Sequence, residues 1–107
     1  MQVLLDTCVP QDFRHALTGI DVVTARYAGL HQLSNGALLA AMAGKFDVLV
    51  TTDAQLRYQQ NLTGYEVSVI VLRAKRNRLS DLFPLVPRLL EALRDAKSGG
   101  VIEIYAT

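Results

Sequence analysis

The chain has no tryptophan, one cysteine, three prolines and two histidines, and its charge leans to neither sign. A single cysteine cannot close an internal disulfide, so a reducing compartment, the cytoplasm, is expected. Four tyrosines and three phenylalanines, with no tryptophan, do not make an evident base-stacking platform. Tyr27, Tyr58 and Tyr65 read instead as partly buried packing residues. Eleven Lys and Arg stand against ten Asp and Glu, a balance that neither demands nor excludes nucleic acid as a partner. Met1-Gln2 leads straight into an apolar strand, with no charged leader and no long apolar run, so neither a signal peptide nor a membrane span is expected. Internal repeats, linkers and low-complexity segments are missing too.

What is present is apolar. Half of the 107 residues are hydrophobic, enough for one domain over residues 1–107 with a true core. Apolar runs of strand length recur at 2–6, 20–25, 47–51, 67–72 and 101–105, and helical patterns lie between most of them. Pro10 suits the first turn of a helix running to about Leu17, with Phe13, Ala16 and Leu17 facing inward. Ser34 is the expected N-cap of a helix over 35–44, with Leu38, Leu39 and Met42 spaced for burial and Gly44 ending it. Asp53 should open a short helix reaching about Gln60. A long helix is expected over 80–96, its start constrained by Pro84 and Pro87, its stripe formed by Leu82, Val86, Leu89, Leu90 and Leu93.

Strands alternating with helices predict an α/β fold, a three-layer α/β/α sandwich on a mainly parallel five-stranded sheet. The last strand alternates in polarity and belongs at an edge or has one wetter face, its direction left open. Two strands end on an aspartate: Val3-Leu4-Leu5-Asp6 and Val48-Leu49-Val50-Thr51-Thr52-Asp53. These carboxylates converge only if strands one and three are neighbours, which gives the order 2-1-3-4-5 with its switch point between them. Ligands bind there in open α/β sheets, outside the carboxyl ends of the strands.

Asp6 and Asp53 are therefore candidate ligands for a hard cation, Mg2+ or Mn2+, which prefers carboxylate oxygen and keeps several waters. Asp12, one to two helical turns further on, is a candidate outer-sphere or water-orienting group. Asp53 and Asp12 are equally explained by helix starts, where the dipole favours a carboxylate. Asn35, Gln55 and Asn61 could add neutral oxygens around the substrate. Arg73, Lys75, Arg76 and Arg78 crowd one segment with no acid between Glu66 and Asp81; they read as a solvated loop or as phosphate contacts, provided the loop folds over the same rim. His15 and His31 could assist proton transfer, but a surface role suits both.

The segments LLDTCVP at 4–10 and VLVTTDAQL at 48–56, with NLTG at 61–64, VLRA at 71–74 and LVPRLLEAL at 85–93, resemble the PIN-like nuclease superfamily, and more closely a short bacterial branch of it. The likeness spans essentially the whole chain. It implies a magnesium- or manganese-dependent ribonuclease, often the toxin of a toxin–antitoxin pair, acting on RNA, with an antitoxin protein as partner and homodimerisation common. By position it makes Asp6 and Asp53 the metal ligands, and Thr7 the hydroxyl residue that commonly follows the first aspartate. The chain departs from the pattern where related sequences carry an acid near the start of the helix before strand three: Ala37 stands there. A fourth acid after Asp53 is missing as well. A catalytically inactive module that binds RNA or a partner protein is the alternative. The last strand and the stripe of the long helix are candidate dimer surfaces.

A third reading rests on Cys8 and Arg14, whose C-x5-R spacing after the first strand is similar to that of low-molecular-weight tyrosine phosphatases and arsenate reductases. Such a loop needs a thiolate and successive backbone N–H groups turned toward an oxyanion. Here it contains no glycine, loses an N–H at Pro10 and places Asp12 where the phosphate would sit. Cys8 is equally a small buried hydrophobe.

Overall fold

Five short strands lie side by side because their residues alternate between two apolar cores. The computed structural model describes residues 1–54, 67–96 and 100–106, with Asn35 described by its backbone alone. The strands are β1 (Gln2–Leu5), β2 (Asp21–Thr24), β3 (Val48–Thr51), β4 (Ser68–Arg73) and β5 (Val101–Tyr105), all parallel, in the order β2-β1-β3-β4-β5. The expected α/β class and strand order are thus observed, and the direction of β5 is settled: it runs parallel to β4 at the edge.

Val3, Leu5, Val48, Val50, Ile70 and Leu72 point to one face, where they bury against Phe13, Leu17, Leu82, Leu85, Leu89 and Leu93. Leu4, Leu49, Val69 and Val71 point to the other and pack on Leu38, Leu39 and Met42. This period-two division explains why the central strands read as unbroken apolar runs: both faces are covered. The edge strand β5 is exposed or half-buried except at Ile104, as its alternation foretold.

The helices differ more from the sequence reading. The segment after Pro10 is a 3-10 helix, Gln11–Ala16, rather than an α-helix to Leu17. Phe13 and Leu17 are buried but Ala16 only half so, since a tighter helix of three residues per turn aligns fewer side chains on one face. Helix α1 (Asn35–Met42) starts at Ser34 as expected, yet the Ser34 side chain makes no capping hydrogen bond; the Ser34 carbonyl accepts from Leu38 N–H at 2.7 Å. The chain leaves α1 through Gly44 at φ +78°, a left-handed conformation suited to glycine.

The long helix is broken. Helix α2 (Leu79–Leu82) passes into a 3-10 turn, Phe83–Leu85, and then into α3 (Val86–Asp95). Pro84 and Pro87 each occupy one of the first two positions of their segments, where the missing N–H costs nothing. The break adds Leu85 to the buried set and stacks Phe83 on Phe13 with ring centroids 6.4 Å apart. Of the leucine stripe, Leu82, Leu89 and Leu93 are buried in the core against the sheet, and Val86 and Leu90 are half-buried beside it. The expected helix beyond Asp53 falls outside the described residues.

Candidate functional site

The switch point between β1 and β3 gathers the polar residues that end both strands. Asp6 follows β1, and its N–H donates to the Val50 carbonyl at 3.0 Å, so the aspartate is still tied to the sheet. Its carboxylate is held on both oxygens: Thr7 N–H donates to Oδ1 and the Thr51 hydroxyl to Oδ2, each at 2.8 Å. Thr51 is fully buried, the last residue of β3, and its Oγ1 also accepts from Asp53 N–H at 3.0 Å. One hydroxyl thus links the two strand-end aspartates.

The same oxygen lies 3.3 Å from Cys8 Sγ. A hydroxyl has one proton and two lone pairs, and the Thr51 proton is committed to the Asp6 carboxylate, so the Cys8 S–H must donate. Cys8 Sγ in turn accepts from Thr52 N–H at 3.4 Å. Every hydrogen-bonding position on Thr51 is therefore filled. Cys8 is not simply a buried hydrophobe; it is half-buried and part of the polar network. Thr52 Oγ1 is buried with no hydrogen-bond partner among the described residues, and so is Nδ1 of His31, which is half-buried rather than on the surface. His15 is exposed.

A small crevice of about 40 Å³ opens beside Asp6 and Thr7, between Gln11 and the turn at Thr24–Arg26. Asp12 does not line it: its side chain is 75% exposed and its Oδ1 lies 3.7 Å from Arg14 Nη1. Among the described residues no group of three or more His, Cys, Asp or Glu is placed to hold a metal ion. The first turn of α1 carries no acid, and Ala37 there is exposed.

Because every strand is parallel, the loop after β4 leaves from the same edge as Asp6 and Asp53. Lys75 and Arg76 are exposed on it. Arg73 is engaged, pairing with Glu103 at 3.0 Å while its guanidinium lies 5.2 Å from the centre of the Tyr105 ring. Arg78 pairs with Asp81 at 3.1 Å. Gln55 and Asn61 fall outside the described residues, and Asn35 begins α1.

Cys8 and Arg14 are not brought together. Cys8 turns to Thr51 and Thr52 on the β3 side, whereas Arg14 Nη1 donates to the Gln11 carbonyl at 2.7 Å and the side chain lines a groove along β2. Thr51 is the site residue that sequence reasoning overlooked. Its signal was a hydroxyl pair, Thr51-Thr52, closing an otherwise apolar strand.

No family model matches the chain, and neither the curated proteins nor the solved structures give a match. Among the described residues no helix is long and apolar enough to cross a membrane.

Proposed function

We propose that the chain is a PIN-like ribonuclease dependent on Mg2+ or Mn2+, working with a reduced carboxylate set. The observation that carries this reading is the Thr51 hydroxyl, which links Asp6 Oδ2 to the backbone of Asp53 at the carboxyl edge of neighbouring parallel strands. A magnesium ion needs only one or two carboxylates, its other positions being filled by water and substrate phosphate. Asp6 and Asp53 fit that requirement for one ion. They do not fit a two-ion site, which needs more acid than the described residues gather.

When bound, such an ion supplies charge to a phosphodiester and acidity to a coordinated water. The residues of the chain do the rest. Thr7 N–H and the Thr51 hydroxyl fix the plane of the Asp6 carboxylate, leaving its remaining lone pairs available. Lys75 and Arg76 add positive charge at the same edge. A toxin role with an antitoxin partner belongs to this proposal and predicts growth arrest when the chain is expressed alone.

Purified protein with mixed RNA and manganese should cleave faster than an Asp6→Asn/Asp53→Asn double variant. Equal rates would remove the nuclease reading. The second reading, a silent module that binds RNA or a partner protein, is favoured by the absence of an acid in the first turn of α1. Titration calorimetry separates them: no heat at millimolar manganese leaves only the module.

A further inference from the structure

We propose that the groove along the open edge of β2 binds single-stranded RNA, with Arg14 and Arg26 on its phosphates and Tyr27 stacked on a base. The RNA assignment rests on the reading of the Asp6 edge given above; the groove itself rests on separate observations. It measures about 450 Å³ and runs between the 3-10 helix and the turn after β2. Gln11, Thr24 and Arg26 line both this groove and the crevice at Asp6, so the two adjoin.

The groove is lined by two arginines and no acid, on a largely apolar floor that includes Val22 and Val23, and it carries an uncovered aromatic ring. Arg26 is exposed, and its guanidinium has no hydrogen-bond or ion-pair partner among the described residues, unlike those of Arg73 and Arg78. Arg14 is anchored through Nη1 to the Gln11 carbonyl and lies beside Asp12, which leaves most of its five N–H donors for a phosphate. Tyr27, expected as packing, is 86% exposed, the most exposed large hydrophobic side chain among the described residues.

The turn that presents Arg26 and Tyr27 is braced by hydrogen bonds. Tyr27 N–H donates to Thr24 Oγ1 at 3.1 Å, Ala28 N–H to the Thr24 carbonyl at 3.0 Å, and Ala25 N–H to the Leu5 carbonyl at 2.8 Å. Thr24 itself is buried. A turn whose backbone is already hydrogen-bonded leaves only the Arg26 and Tyr27 side chains to be ordered on binding. Two cations and one ring match the backbone and base of an unpaired strand, since a duplex hides its base faces.

Fluorescence anisotropy with a labelled single-stranded RNA oligonucleotide, in EDTA, tests this without any cleavage. Arg14→Ala/Arg26→Ala should weaken binding at least roughly tenfold and lower the salt slope by about 1.4, two phosphates at roughly 0.7 each. Tyr27→Ala should weaken binding roughly tenfold with the slope unchanged, and should have no effect on a duplex of the same sequence. Arg14→Lys/Arg26→Lys should restore the slope. All these positions are at the surface, and unchanged thermal unfolding verifies the fold. Undetectable binding by the wild type at low salt overturns the proposal. So does parity of the Arg and Tyr variants with the wild type, or an equal loss from the exposed control Arg88→Ala. The Asp6→Asn/Asp53→Asn variant, which removes negative charge near the groove but none of its lining residues, should bind no more weakly than the wild type. Failure of cleavage with intact groove binding therefore sinks only the nuclease, and cleavage by the wild type with groove variants that bind RNA as it does sinks only the groove.

Discussion

At the scale of single residues, Thr51 shows how a buried hydroxyl can organise charged neighbours. Its three bonds use its one proton and both lone pairs, so only another hydroxyl, that of serine, could take its place. Thr51→Val should leave Asp53 N–H and the Cys8 thiol without their acceptor and Asp6 one donor short. A loss of about 1–3 kcal/mol in urea unfolding is expected, and a loss under a few tenths would show the network to be incidental. Cys8→Ser keeps a donor and an acceptor at the same place, so RNA binding and any cleavage should survive; the phosphatase reading demands the opposite for turnover of an aryl phosphate. Ala37 allows a gain rather than a loss. It is exposed, and α1 leads back to the amino end of β3, which puts its first turn toward the edge that carries Asp6. Ala37→Asp should therefore raise manganese affinity, read by calorimetry, by roughly tenfold, the effect of about 1.4 kcal/mol. An unchanged affinity would mean that the acid expected there has no geometric part in this site.

At the scale of elements, the prolines and one glycine decide where helices begin and end. The stripe Leu82, Val86, Leu89, Leu90 and Leu93 suggested one helix because each member satisfies helical spacing. Pro84 nevertheless cannot donate to a carbonyl four residues earlier, and the chain answers with a 3-10 turn that carries Leu85 into the core. Burial was legible from the stripe; the break was legible only as a constraint. Leu89 is fully buried, and Leu89→Ala should cost about 2–5 kcal/mol by equilibrium unfolding. Gly44 has open space around it but φ +78°, so Gly44→Ala should cost roughly 1–2 kcal/mol through the backbone alone. A neutral result would mean that the turn after α1 adopts another conformation.

At the scale of the whole molecule, the sheet is an asymmetric stack in which β1, β3 and β4 have neighbours on both sides while β2 and β5 have one. Amides of the central three should exchange with deuterium only through global unfolding, and those of β2 and β5 by cheaper local opening. Uniform protection across all five strands would contradict this. The two edges are also used differently. The β5 edge carries an internal network in which Arg73 pairs with Glu103 and the Tyr105 hydroxyl donates to Glu103 Oε2 at 2.7 Å. The β2 edge instead presents Arg26 and Tyr27 to water. The basic segment that drew attention in the sequence is half neutralised by its own neighbours, while the cations of the groove come from Arg14 and Arg26, far apart in sequence.

The sequence by itself determined the α/β class, the five strands, their order and the placement of Asp6 at the switch point. The class and the strands follow from local periodicity and from apolar runs long enough to demand cover on both faces, whereas the order followed from requiring that Asp6 and Asp53 converge at the ends of neighbouring strands. Only the tertiary structure decided that Thr51 links the two strand ends, that Cys8 is a hydrogen-bond donor and not an isolated thiol, that Asp12 turns to Arg14, and that Tyr27 stands in water on a groove that Arg14 and Arg26 also line. Each of these depends on which distant side chains share a neighbourhood. Strand register sets that for Thr51 and Cys8, a 3-10 helix in place of an α-helix sets it for Asp12 and Arg14, and neither leaves a mark on composition or spacing.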